Sequence, residues 1–239
     1  MFIDGFLGEL LGTMLLVLLG DGVVANVLLK KSKAEGAGWM VIASGWAFAV
    51  LVGVLMSFAL GGPGNINPAV SIGLAIGGWL TWTQVIYFVI AQLIGAFLGA
   101  VLLWLHFLSH WGATDDPGLI LASFSTGPAI RETMPNYISE IIATFVLTLG
   151  VAITFTGGAI DPYLGAFIVA GVVWGVGLSL GGTTGYAINP ARDLMPRLAH
   201  AILPIAGKGD SDWGYAMVPV LGPITGGVLA GILVFTLGI

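Results

Sequence analysis

Asn67-Pro68-Ala69, within Gly64-Asn65-Ile66-Asn67-Pro68-Ala69-Val70, returns as Asn189-Pro190-Ala191 within Ala187-Ile188-Asn189-Pro190-Ala191-Arg192-Asp193. Asn caps helix N-termini and Pro is favoured at the first helical position, so each tripeptide reads as a helix start. The apolar stretches they open, 68–78 and 190–202, are about a dozen residues each. A spanning helix needs about 20 residues, so these are the length of re-entrant or buried half-helices.

The surrounding chain is suited to lipid. Of its 239 residues 57% are apolar and 8% charged, with a mean hydropathy of +1.03. A soluble domain carries roughly 25% charged residues, so the bilayer is the expected partner. The 38 glycines suit close helix contact in membranes. Six apolar segments are long enough to span, at about 4–29, 38–61, 82–105, 137–158, 162–181 and 215–238. Between them lie a link bearing Lys30, Lys31 and Lys33, polar loops at 115–135 and 207–213, and a turn at Asp161-Pro162. The opening Met1-Phe2-Ile3-Asp4 has no positive n-region or small-residue cleavage site, which predicts that the first apolar segment is retained.

A repeat organises these pieces. Glu9-Leu10-Leu11-Gly12-Thr13 in the first span is matched by Glu140-Ile141-Ile142-Ala143-Thr144 in the fourth. Gln92-Leu93-Ile94-Gly95-Ala96 in the third corresponds to Pro223-Ile224-Thr225-Gly226-Gly227 in the sixth. The order Glu helix, helix, Asn-Pro-Ala half-helix, small-residue helix therefore occurs twice. Each copy holds three spans, an odd number, so the second enters from the opposite side. The expectation is one channel domain, 1–239, with inverted repeats about 1–108 and 137–239 joined by loop 109–136. The half-helices should dip in from opposite faces and meet near the midplane.

Irregular backbone at that depth is tolerated only beside protein or a water-filled cavity. If Asn67 and Asn189 cap with their side-chain oxygens, their amide NH2 groups are left to face a pore. Two helix N-termini meet there, each carrying roughly half a positive charge, which repels cations and protons. Glu9 and Glu140 lie within apolar spans, where a charge costs roughly 2.5 kcal/mol or more. They are either proton relays or acceptors for the backbone amides of the re-entrant loops, and their matching positions favour acceptors. Arg192 follows the second motif directly, whereas Val70 follows the first. It reads as a pore-mouth donor that repels cations, or as a surface residue paired with Asp193. Gly95 with Gly99, and Gly227 with Gly231, have the spacing of close helix contacts. Trp39, Trp79, Trp104 and Trp213 read as interface anchors. Asp21, His106, His110 and His200 receive no role.

The chain has no cysteine, which excludes disulfides and thiolate metal sites, and its three His, at 106, 110 and 200, give no sign of a His-based metal site. No metal or other cofactor is expected. The net charge of −5 and the absence of a basic cluster give no sign of nucleic acid. No Ser–His pair, His-Glu motif or pair of aspartates suggests an intramembrane enzyme.

The doubled Asn-Pro-Ala in this setting resembles the major intrinsic protein family of aquaporins and glycerol facilitators, over nearly the whole chain. The resemblance implies an all-α aquaporin-like bundle of six transmembrane helices and two re-entrant half-helices. It also implies one pore per subunit, a homotetramer, and both termini in the cytoplasm with the Lys30–Lys33 link outside. The positive-inside rule would put that link in the cytoplasm. Arg192-Asp193, and Pro219-Val220 in the last helix, resemble the aquaglyceroporin branch. By position, the family's selectivity filter corresponds to Arg192, Gly177 and Tyr186, where facilitators more often have Phe. Its fourth member corresponds to Trp46 if Gly61-Gly62-Pro63-Gly64-Asn65 carries a one-residue insertion, and to Ala47 without a gap. Trp46 and Tyr186 would then form an apolar corner opposite Arg192.

The expected activity is passive passage of water and small uncharged solutes, with ions and protons excluded. The solutes would be glycerol and similar polyols, with hydrogen peroxide, urea, dihydroxyacetone or protonated acids such as lactic acid as further cargo. The alternatives are a water-selective pore and, from another class, a secondary transporter coupled to protons through Glu9 or Glu140. A bacterial inner membrane is the expected location.

Overall fold

The computed structural model describes residues 3–239, and Met1 and Phe2, where the reading of a retained N-terminus begins, lie outside them. Among the described residues six helices are long and apolar enough to cross a membrane. They are α1 (Ile3–Leu28), α2 (Trp39–Ala59), α4 (Trp82–His106), α7 (Thr133–Phe155), α8 (Pro162–Leu180) and α10 (Met217–Leu237). The two half-helices are α3 (Pro68–Ile76) and α9 (Pro190–Ile202). Among the described residues the fold is all-α, six spanning helices and two half-helices in the doubled order expected.

Two expectations require correction. The fourth span starts at Thr133, four residues before the expected start, and ends at Gly158 as expected, its last turn tightening into a 3-10 helix over Thr156–Gly158 with Gly157 at a φ of 76°. The connection 109–136 is also more than a polar loop. It contains α5 (Leu108–Trp111) and α6 (Pro117–Ala122), and it buries Trp111, Ile120 and Phe124 among residues of α1, α4 and α9. Apolar side chains in this connection dock it onto the bundle, as burial of apolar surface favours.

Helix contact follows the repeat. A Cβ on Gly95 of α4 would overlap the Leu10 carbonyl oxygen of α1, and one on Gly226 of α10 would overlap that of Ile141 in α7. Leu10 and Ile141 are the residues after Glu9 and Glu140, so both copies use the same close approach. Gly227 and Gly231 press α10 onto the carbonyls of Ala69 and Gly73 in α3. Without a hydrophobic force between helices in lipid, such van der Waals contact is a main source of cohesion.

Candidate functional site

Each half-helix begins as a capped N-terminus. Asn67 Oδ1 accepts from Ala69 N at 2.9 Å, and Asn189 Oδ1 accepts from Ala191 N at 3.0 Å and Arg192 N at 3.3 Å. The two caps are tied to each other's loops. Asn67 Nδ2 donates to Ile188 O at 2.8 Å, and Asn189 Nδ2 donates to Ile66 O at 2.9 Å. This modifies the expectation for the NH2 groups. One hydrogen of each holds the opposite loop, which leaves one for a passing oxygen. Both asparagines line the central cavity.

The loops feeding these caps are strained, with Ile66 and Ile188 at φ of 43° and 44°. A β-branched residue rarely adopts this left-handed region, and such strain costs of order 1–3 kcal/mol. Buried carboxylates hold both turns. Glu9 accepts from Asn65 N, Ile66 N, Ser57 Oγ and Gln92 Nε2 at 2.6–3.0 Å. Glu140 accepts from Ala187 N, Ile188 N and Thr184 Oγ1 at 2.6–2.9 Å. A buried charge with this many donors is satisfied where it stands.

Arg192 reaches from the first turn of α9 toward α1 and α2. Its Cζ lies 4.2 Å from the centroid of the Trp46 ring, and its Nη1 lies 3.6 Å from Asp21 Oδ1. Trp46 lines the cavity and Ala47 does not. The expected corner opposite Arg192 is therefore arranged differently, with Trp46 under the guanidinium. Tyr186 instead packs edge-on against Trp39, ring centroids 5.7 Å apart. Trp39 Nε1 donates to Gly177 O at 3.0 Å, so this residue braces Tyr186 as well as lying near a span end. A Cβ on Gly177 would come within 2.9 Å of Tyr186 Cζ. Gly177 is thus the seat of the Tyr186 ring.

The alternative pairing of Arg192 with Asp193 does not occur. Asp193 Oδ1 accepts from Arg197 Nε and Nη2, and its Oδ2 accepts from Thr126 N and Oγ1. Arg197, fully buried, also donates to the carbonyls of Thr126, Ser211 and Asp212. Asp193 and Arg197 together clasp the 109–136 connection and the loop after α9.

One cavity of about 280 Å³ joins these parts. Along α2 it is lined by Trp46, Val50, Val54 and Phe58, four residues apart, which spans about 18 Å of helix. It passes both asparagines and is flanked toward its other end by Trp79 and Phe155. Trp79 thus borders the lumen in addition to lying at a helix end. The walls are mainly apolar, with polar groups at Asn65, Asn67, Asn189, Arg192 and Tyr186. Among the described residues no group of three or more His, Asp or Glu is placed to hold a metal ion.

Residues 1–234 match the family model described as MIP, major intrinsic protein. The chain belongs to the major intrinsic protein family. It is 54% identical over 227 residues to glycerol uptake facilitator protein 3 of Lactiplantibacillus plantarum, covering 95% of this chain and 94% of that protein. It is 53% identical over 232 residues to the glycerol uptake facilitator protein of Streptococcus pneumoniae, covering 96% and 97%. The aquaglyceroporin of Plasmodium falciparum superposes with a TM-score of 0.84 at 28% identity, over 97% of this chain and 94% of that one. Within the major intrinsic proteins, the chain falls in the aquaglyceroporin branch.

In this major intrinsic protein, sequence reasoning missed Asp21, Trp39 and Arg197. Asp21 has no counterpart in the repeat, and Trp39 looks like any interfacial aromatic. Arg197 carried one signal, a position four residues after Asp193 that favours pairing on a helix face.

Proposed function

We propose that the chain is a passive channel for water, glycerol and similar small neutral polyols that excludes ions and protons. The observation that carries this reading is the continuous cavity past the tips of α3 and α9. It has apolar walls along which CH groups slide, and amide and guanidinium donors that meet hydroxyls. The names of the related facilitators point the same way. Hydrogen peroxide, urea, dihydroxyacetone and protonated lactic acid have the same uncharged, compact character and extend the proposed cargo.

In this reading Asn67, Pro68, Ala69, Asn189, Pro190 and Ala191 form the midpoint of the pore, and Trp46, Gly177, Tyr186 and Arg192 form its filter. Glu9 and Glu140 hold the re-entrant loops, while Asp193 secures the mouth. Residues 1–239 act as one channel domain, with repeats at about 1–108 and 137–239. A proton-coupled transporter is disfavoured because each glutamate oxygen already accepts at least one hydrogen bond from the protein. The channel works without catalysis.

The proposed setting is a bacterial inner membrane, with cytoplasmic termini and a homotetramer of four separate pores. The Lys30–Lys33 link outside is compatible with this orientation because Glu35 pairs with Lys30 at 2.8 Å and reduces its positive charge. The test is stopped-flow light scattering of proteoliposomes under water and glycerol gradients. Glycerol entry and water flux, both unaffected by an uncoupler, are expected. Water flux without glycerol entry would establish the water-selective alternative, and flux that collapses with the proton gradient would establish the coupled one.

A further inference from the structure

Asp21 is completely buried on α1, and neither of its carboxylate oxygens has a hydrogen-bond partner. A buried carboxylate left without donors is costly unless an opposite charge compensates it. The cation beside it is Arg192, with Nη1 3.6 Å from Oδ1, and that Nη1 also has no hydrogen bond. Asp193, next to Arg192 in sequence, is unavailable because both its oxygens are taken by Arg197 and Thr126.

The residue before Asp21 completes the arrangement. A Cβ on Gly20 would overlap the six-membered ring of Trp46, so α1 at this level lies flush against the indole. The same indole carries the Arg192 guanidinium on its face. Gly20-Asp21 therefore supplies both the seat for the aromatic ring and the counter-charge for the cation stacked on it. A cation over a tryptophan face is attracted by the ring quadrupole, and the carboxylate adds a second attraction from the same wall.

We infer that Asp21 is a positioning residue for the filter. It draws the Arg192 guanidinium onto Trp46, away from Tyr186 and Gly177, and so leaves width for a solute with a carbon chain. This inference deepens the channel reading and rests on it. Removing the Asp21 charge frees an Arg side chain with several rotatable bonds. The guanidinium then moves toward the lumen, where it obstructs a polyol more than a water molecule.

The test is the glycerol-to-water permeability ratio of Asp21→Asn proteoliposomes, a quantity independent of how many channels insert. The ratio should fall on the order of fivefold, as expected for the coupling of contacting residues. In an Arg192→Val background the same Asp21→Asn change should leave the ratio unaltered, which a merely structural role for Asp21 does not require. A wild-type ratio in Asp21→Asn, or an equal fall in the Arg192→Val background, overturns the inference. If Asp21→Asn fails to insert, the paired Asp21→Val/Arg192→Val variant should recover insertion, because removing both members of a buried pair is tolerated better than removing one. Failure of that recovery also overturns it. Wild-type vesicles that pass water but no glycerol would instead refute the polyol reading, and the inference with it.

Discussion

Tyr186 rests directly on Gly177: a Cβ on the glycine would lie 2.9 Å from the ring Cζ and 3.0 Å from the hydroxyl oxygen. Trp39 donates to the Gly177 carbonyl and meets the Tyr186 ring edge-on. The position of the Tyr186 ring in the cavity wall is therefore set by a missing methyl group on α8. Tyr186 is only 4% exposed, and the open space beside it is the central cavity that it lines.

Gly177→Ala should push the Tyr186 ring toward the cavity. Glycerol permeability is expected to fall about tenfold, equivalent to about 1.4 kcal/mol of barrier, with water flux reduced less. Stopped-flow traces on the same vesicle preparation measure both, and an unchanged glycerol rate would show that the contact does not set pore width.

Glu140→Gln replaces one acceptor oxygen with an NH2 group that faces Thr184 Oγ1 or the loop amides. The buried mismatch should destabilise the protein by about 2–3 kcal/mol, lowering its melting temperature in detergent. Channels that survive should conduct glycerol regardless of the proton gradient, since the carboxylate has a structural role here.

Glycine substitutions should divide by what a Cβ would meet. Gly95→Ala and Gly227→Ala drive a methyl group into backbone carbonyls of the facing helix, an overpacking worth about 1–3 kcal/mol. Gly171→Ala, with nothing within 4 Å, should raise stability by roughly 0.4–1 kcal/mol. Thermal unfolding of the three variants side by side checks the order, and equal behaviour would contradict the packing described for α4 and α10.

Arg197→Gln breaks a fully buried pair and should cost about 3–5 kcal/mol. Its local signature is faster hydrogen exchange at the Thr126 amide, which donates to Asp193 Oδ2. Protection at Thr126 that matches wild type would mean the clasp does not hold the 109–136 connection.

Much of this architecture is legible in the residues alone, because bilayer physics leaves few solutions. Six apolar segments of spanning length and two short ones headed by Asn-Pro can be counted without coordinates. The segments predicted at 38–61 and 162–181 became α2 and α8 with ends shifted by no more than two residues. Glu9 and Glu140 stood out because a carboxylate in an apolar span needs a partner, and their duplication pointed to amides in duplicated loops.

The partners of Asp21 and Trp39, and the contacts that Asp193 and Arg197 make beyond their own pair on α9, became visible only when the helices packed. Arg192 has an aspartate next to it in sequence, yet it pairs with one on α1, because α9 turns the Asp193 carboxylate toward Thr126 and Arg197 instead. Hydropathy and capping act within a few residues along the chain, so they can be read in order. The ion pair and ring contacts of Arg192 and Tyr186 join segments more than a hundred residues apart, and no local rule specifies which of them will meet.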